Sequence, residues 1–276
     1  MDLDGLIVEL AEEQEALDQR VAGISDEAWA TLTPAIGWTV QDQISHLSFF
    51  DRSACLALTD PGAFGAQAEL VLAAVADAGV EPGANTPDVA EGRQMTPAEM
   101  LASWRGGRAE LVARSLTVSE IDPKARISWF GPAMGVASFV SARLMETWAH
   151  GQDVADALGL PPVTSERLRH VCHIGVGARA YAFLVNEQAD PGDPIRVEAV
   201  SPAGELWTWG PPDAPDRVTG PGLDLALVLT QRRHRDDTEL VVEGSTAQRW
   251  IAIAQAFAGP AGPGRTPMAI LRTDDD

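Results

Sequence analysis

The sequence predicts two domains: a four-helix bundle over residues 1–160 and a smaller α+β domain over residues 161–276. Three observations carry this. Apolar residues in the first half recur at helical spacing. Pro161-Pro162 interrupts that pattern. After Pro191-Gly192-Asp193-Pro194 the period falls to two, the spacing of a half-buried strand. With 276 residues, 45% of them hydrophobic, the chain has enough apolar material for both cores.

Leu3, Leu6, Ile7, Leu10, Leu17 and Val21 form the stripe of a first helix. Thr39 with Asp42 reads as a capping box for a second, which carries His46. An Ala-rich helix spans 63–78 and closes at Gly79. Gly79 to Gly92, with Pro82, Gly83 and Pro87, reads as a mobile loop crossing between helices. Thr96-Pro97-Ala98-Glu99 places a cap, a Pro at N1 and an acid at N3, and starts a helix to about Leu116. The last helix of this half begins near Gly135 and stops at Gly159. Beyond the prolines, Ser165 is expected to cap one helix to about Asn186. A hairpin follows, 195–200 and 205–209 joined at Ser201-Pro202-Ala203-Gly204. Then come a helix from Gly222 to Arg232, a strand over 239–243, a helix from Thr246 to Phe257, and a Gly/Pro-rich tail.

Composition narrows function. Twenty Lys and Arg against forty Asp and Glu give a net charge of −20. Such a chain is a poor partner for nucleic acid or an anionic membrane. Its two cysteines, Cys55 and Cys172, lie far apart without metal-site spacing, which fits small buried residues in a reducing cytoplasm. The amino terminus lacks a basic signal region, and no apolar run reaches membrane-spanning length. A monomer or homodimer acting on a small molecule is the expectation.

The chemistry concentrates in Arg143-Leu-Met-Glu146-Thr-Trp-Ala-His150-Gly-Gln-Asp153. Residues four apart share a helix face, so Glu146 and His150 can hold one ion together. With His46 as third ligand they make a two-His, one-carboxylate set, which suits zinc with a position left open or iron(II). Alone, Glu-x-x-x-His is more often an ion pair. The apolar neighbours Leu144, Met145, Trp148 and Ala149 argue for a buried carboxylate that needs a partner, either a metal or Arg143.

Trp38-Thr39-Val40-Gln41-Asp42-Gln43-Ile44-Ser45-His46-Leu47 resembles the first metal motif of the DinB-like proteins, in the branch of mycothiol-dependent maleylpyruvate isomerase. Arg143-x-x-Glu146-x-x-x-His150-x-x-Asp153 resembles that branch's second motif. The chain looks closer to actinobacterial metal-binding members of the branch than to the isomerase itself. The resemblance implies a DinB-like bundle with zinc on His46, Glu146 and His150, followed by a sterol-carrier-protein-like α+β domain. It also implies mycothiol as a possible cosubstrate, and an arginine after the second domain's helix that faces the cleft between domains. Arg232 and Arg233 both fit that place. They equally fit cations at a helix C-terminus. Asp153, three residues past His150, is placed to accept from a ligand imidazole, or else is a solvated acid.

These readings favour a zinc-dependent thiol transferase or isomerase acting on a small acidic or electrophilic substrate. A metal-dependent hydrolase of a small ester or amide, and a non-enzymatic metal-dependent ligand-binding protein, are the alternatives.

Overall fold

The computed structural model describes residues 2–78 and 83–268. By packing, the chain divides into two compact units, Met1–Val163 and Thr164–Asp276. Pro161-Pro162 closes the first. Val163 is fixed there, its N–H donating to Gln152 Oε1 and its carbonyl accepting from Trp148 Nε1.

The first unit runs α1 (Leu3–Val21), α2 (Asp26–Trp29), α3 (Val40–Thr59), α4 (Pro61–Ala78), α5 (Pro87–Ala90), α6 (Pro97–Ile121), a two-stranded ribbon of β1 (Arg126–Ile127) and β2 (Met134–Gly135), and α7 (Val136–Ala157). Helices α1, α3, α6 and α7 form the bundle, and α4 packs on α3. Both expected capping boxes are present, Thr39/Asp42 on α3 and Thr96/Glu99 on α6. Leu17, Val21, Val40, Ile44, Leu47, Met100, Trp104 and Val154 meet in one apolar cluster that joins all four bundle helices. No helix among the described residues is long and apolar enough to cross a membrane.

The stretch expected as a mobile loop differs. Its residues 79–82 lie outside the described ones. From Pro87 it is helical and clamped to α3. Gln41 Nε2 donates to the carbonyls of Gly92 and Met95 at 2.6 and 2.8 Å. Ser45 Oγ donates to the carbonyl of Asp88 at 2.7 Å. Arg93 holds the Asp42 carboxylate with two nitrogens, at 2.8 and 3.3 Å. Gly92 permits this approach, because a Cβ there would lie 2.3 Å from Ser45 Oγ. Thr86-Pro87-Asp88 repeats the cap, Pro and acid order that starts α6, so the helical turn had a signal in the sequence.

The polar centre of the bundle is Asp51 on α3, fully buried. Arg143 of α7 donates to its Oδ1 through Nε at 3.2 Å and Nη2 at 2.9 Å. Gln14 of α1 and Trp104 of α6 donate to Oδ2 at 3.3 and 3.2 Å. Burial raises this carboxyl, opposed by the Arg143 charge and the hydrogen bonds from Arg143 and Trp104. Nearer the surface, Asp18 of α1 accepts from Arg105 and Arg108 of α6. The Arg105 bond leads in holding its carboxyl below the usual range, against burial.

The second unit contains α8 (Leu168–Gly177), α9 (Arg179–Val185), β3 (Ile195–Val200), β4 (Leu206–Trp209), β5 (Asp216–Pro221), α10 (Gly222–Leu229), β6 (Val241–Glu243) and α11 (Ser245–Ile253). The sheet order is β4-β3-β5-β6. The expected β3–β4 hairpin is antiparallel, β5 runs parallel to β3, and β6 antiparallel to β5. Strand β5 has no counterpart among the expected elements, and it ends in Gly220-Pro221. The single helix expected from Ser165 to Asn186 is two, breaking at Ala178 and starting at Leu168. Gly175 lets α8 approach α10, where a Cβ would lie 2.7 Å from Leu229. Of the expected tail, 269–276 lies outside the described residues.

Removing one partner of a buried ion pair strands the other charge. Asp51→Ala is therefore expected to lower bundle stability by about 3–5 kcal/mol. In a double-mutant cycle by urea unfolding, Asp51→Ala with Arg143→Ala should cost clearly less than the sum of the single changes. Asp18 gives a pH signature. Its folded pKa is lowered, so its contribution is present at neutral pH and lost as pH falls below about 4 towards the folded value. Asp18→Asn should flatten that acid limb of stability against pH.

Candidate metal centre

Three donors meet between α3 and α7. His46 Nε2 lies 3.9 Å from Glu146 Oε2, and His150 Nε2 lies 3.2 Å from the same oxygen. One ligand atom from each residue falls within 4.8 Å of the others. Glu146 and His150 are one turn apart on α7, and His46 arrives from α3. The side chains of His46, Glu146 and His150 are 18%, 19% and 9% exposed, so the group is shielded but reachable.

Both imidazoles are held from behind. His46 Nδ1 is 2.8 Å from Asp88 Oδ2, and His150 Nδ1 is paired with Gln43 Oε1 at 2.5 Å. Acceptors behind both rings hold a proton on each Nδ1 and turn each Nε2 toward Glu146. Gln43, a partner of His150 Nδ1 that spacing on α7 could not indicate, comes from a different helix. Asp153 itself is buried on α7. Burial raises the Glu146 carboxyl, but the hydrogen bond from His150, with the charges of His150, His46 and Arg143, holds it at about 2. Burial raises Asp88 as well, and the bond to His46 with its charge brings that group to about 2. Both acids are anionic at neutral pH.

Arg143 does not serve as the simple partner of Glu146. Its guanidinium is committed to Asp51, and it lies over the Trp129 ring at 5.9 Å. Aromatic rings flank the histidines instead. Trp38 stacks on His150 with centroids 6.2 Å apart, and Phe50 lies 4.6 Å from the His46 ring. Phe50 continues into Trp129 and Phe130.

The model of the mycothiol maleylpyruvate isomerase N-terminal domain matches residues 10–155. The chain belongs to that family. It is 45% identical over 260 residues to Rv0036c of Mycobacterium tuberculosis strain H37Rv and to MT0041 of strain CDC 1551, both named as uncharacterised proteins; the match covers 94% of this chain and 97% of each relative. Among solved structures it is similar to the mycothiol-dependent maleylpyruvate isomerase, with TM-score 0.55 at 15% identity over 90% of this chain and 94% of that one. A mutant of the same enzyme gives 0.59 at 14%, over 89% and 96%. At that identity the likeness speaks for the fold.

In this maleylpyruvate isomerase-family chain the expected arginines lie in the turn after α10. Both backbone N–H groups bond to the Leu227 carbonyl, with Gln231 in the left-handed region at φ 57°. Arg232 also donates to the Thr230 carbonyl. Arg233, with His234, Arg235 and Arg265, lines a cavity of about 330 Å³. His173 accepts from Trp209 Nε1 at 3.1 Å. Burial, then the charges of His170 and Arg169, push its pKa down, which suits a neutral acceptor.

The cysteines are buried and free. Burial drives the Cys55 thiol up to about 12, and it drives Cys172 up as well. Neither supplies a thiolate near neutral pH. Both are expected to resist a thiol-specific reagent in the folded protein and to react fully on unfolding. Rapid native labelling of either one would contradict this burial.

Proposed function

We propose that the bundle holds one divalent ion, zinc, on His46 Nε2, Glu146 and His150 Nε2. On this reading the chain is a thiol transferase or isomerase for a small acidic or electrophilic substrate, with a mycothiol-type thiol as cosubstrate. The observation that carries this is the convergence of both Nε2 atoms on one Glu146 oxygen while both Nδ1 atoms are tied from behind. Tetrahedral zinc with bonds of about 2.0–2.1 Å sets ligand atoms about 3.4 Å apart. The 3.2 and 3.9 Å separations bracket that span and all three ligand atoms lie within 4.8 Å of one another, which supports the fit.

Held by His46, Glu146 and His150 with one position open, zinc would supply the Lewis acidity that keeps a thiol as thiolate, the nucleophilic form. The chain's own residues do the rest. Gln43 and Asp88 fix the tautomer and aim of the two imidazoles. Trp38 and Phe50 wall the histidines with apolar rings that limit water. A cosubstrate has to supply the sulfur, because both cysteines are buried as thiols. Family membership in the mycothiol maleylpyruvate isomerase group supports that thiol's class. We assign substrate-carboxylate binding to the Arg232/Arg233 turn, and Arg233 is favoured because it lines a cavity. We read the first unit as the DinB-like metal domain and the second as a sterol-carrier-protein-like domain.

Metal analysis of tag-free protein should find one zinc per chain, with occupancy collapsing in His46→Ala and Glu146→Gln. Iron in place of zinc would identify the facial-triad alternative, and equal metal in wild type and His46→Ala would remove His46 from the site. In assays with candidate electrophiles, turnover should require an added low-molecular-weight thiol. Thiol-independent turnover would identify a hydrolase instead. The double change Arg232→Ala, Arg233→Ala should keep its metal and raise KM for a carboxylate substrate about tenfold or more, as for a lost charge-assisted contact of about 1.5–3 kcal/mol.

A further inference from the structure

We propose that Asp88 is a positioning residue of the metal centre, and that the crossover segment 83–95 and the metal stabilise each other. The proposal rests on the metal reading above. Of the three donors, two stand on α7 and only His46 comes from α3. His46 is also the donor whose rear partner is a carboxylate rather than an amide. That carboxylate does not belong to the bundle helices. Asp88 sits on α5, in the segment between α4 and α6, with its side chain only 9% exposed.

The segment's attachments aim this one group. Ser45, next to His46, binds the Asp88 carbonyl. Gln41 and Asp42, one turn earlier on α3, bind Gly92, Met95 and Arg93. Arg52 pairs with Glu91 at 2.6 Å on the other side. The contacts fix the backbone of 88–95 along α3, and the Asp88 carboxylate then reaches His46 Nδ1. An anionic acceptor there locks the Nδ1–H tautomer and makes Nε2 a stronger donor. With Glu146 it also places two negative charges around a doubly positive ion, so the ion's charge is balanced within the site. Because Asp88 favours metal and the segment carries Asp88, linkage requires that metal also favour the docked segment.

A purely structural role predicts something different. If Asp88 only ties the segment down, losing it is equivalent to losing another anchor such as Arg93. Zinc affinity by chelator competition separates the two, using full-length wild type, Asp88→Ala, Asp88→Asn and Arg93→Ala, each checked for folding by circular dichroism. We expect a loss of about 10–100-fold for Asp88→Ala. Asp88→Asn, which keeps an acceptor without the charge, should lose less, and it carries the test if the alanine variant does not fold. Arg93→Ala should stay within about threefold of wild type. Hydrogen exchange should show zinc slowing the amides of 88–95 in wild type and not in Asp88→Ala. Equal zinc affinity in Asp88→Ala and wild type, or a loss no larger than that of Arg93→Ala, overturns the proposal and leaves the metal reading standing. If wild type binds no zinc, both fall.

Discussion

One buried carboxylate organises the bundle. Asp51 takes a donor from each of the other three bundle helices: Gln14 of α1, Trp104 of α6 and Arg143 of α7. A charge in such a place is tolerable only when every donor is in register, so it penalises any sliding of one helix along another. The relevant register is that of α3 against α7. His46 lies five residues before Asp51, and Glu146 and His150 lie three and seven after Arg143. The ion pair fixing Asp51 to Arg143 therefore also sets the height at which His46 meets Glu146. An apolar pair at the same positions would pack the two helices but would accept neighbouring registers at smaller cost.

Local order made part of this legible in the sequence. Glu146 and His150 share a face by helical geometry alone, and Thr39/Asp42 and Thr96/Glu99 announce their helices within four residues. His46 required a motif resemblance, since nothing local ties residue 46 to residue 146. The same difficulty hid the rear partners of the imidazoles. Spacing on α7 points only to Asp153, whereas Gln43, which pairs with His150 Nδ1, lies 107 residues away in sequence. Asp88 was obscured differently. The Gly and Pro around it pointed to a loose loop, whereas Thr86-Pro87-Asp88 starts a helical turn that α3 then holds in place.

The second unit shows the limits of periodicity. β3 and β4 alternate cleanly and were readable. β5 sits beside β3 as the parallel partner, but its strand-forming residues are few, Val218 and Thr219, and it ends in Gly-Pro. In the α8–α9 region apolar spacing continues past the break, and it is the backbone at Ala178, with φ −81° and ψ 3°, that makes two helices where one was expected.

These features bear on what a metal ion would have to do here. In small metallodomains the ion supplies the folding energy, since no core exists without it. This bundle has an apolar cluster spanning its helices and a satisfied polar centre at Asp51, neither of which includes the metal donors. Glu146, His46 and His150 are instead held near ligand spacing by side chains whose partners are protein atoms. Such preorganisation lowers the reorganisation needed on binding and leaves coordination free to serve chemistry. The exception is the crossover segment. Its Met95 packs at the edge of the apolar cluster, polar contacts tie it to α3, and among the described residues it reaches the site through Asp88. The bundle fixes where the donors stand, and this segment, tied to α3 largely by polar contacts, is where occupancy of the site would have most leverage on the fold.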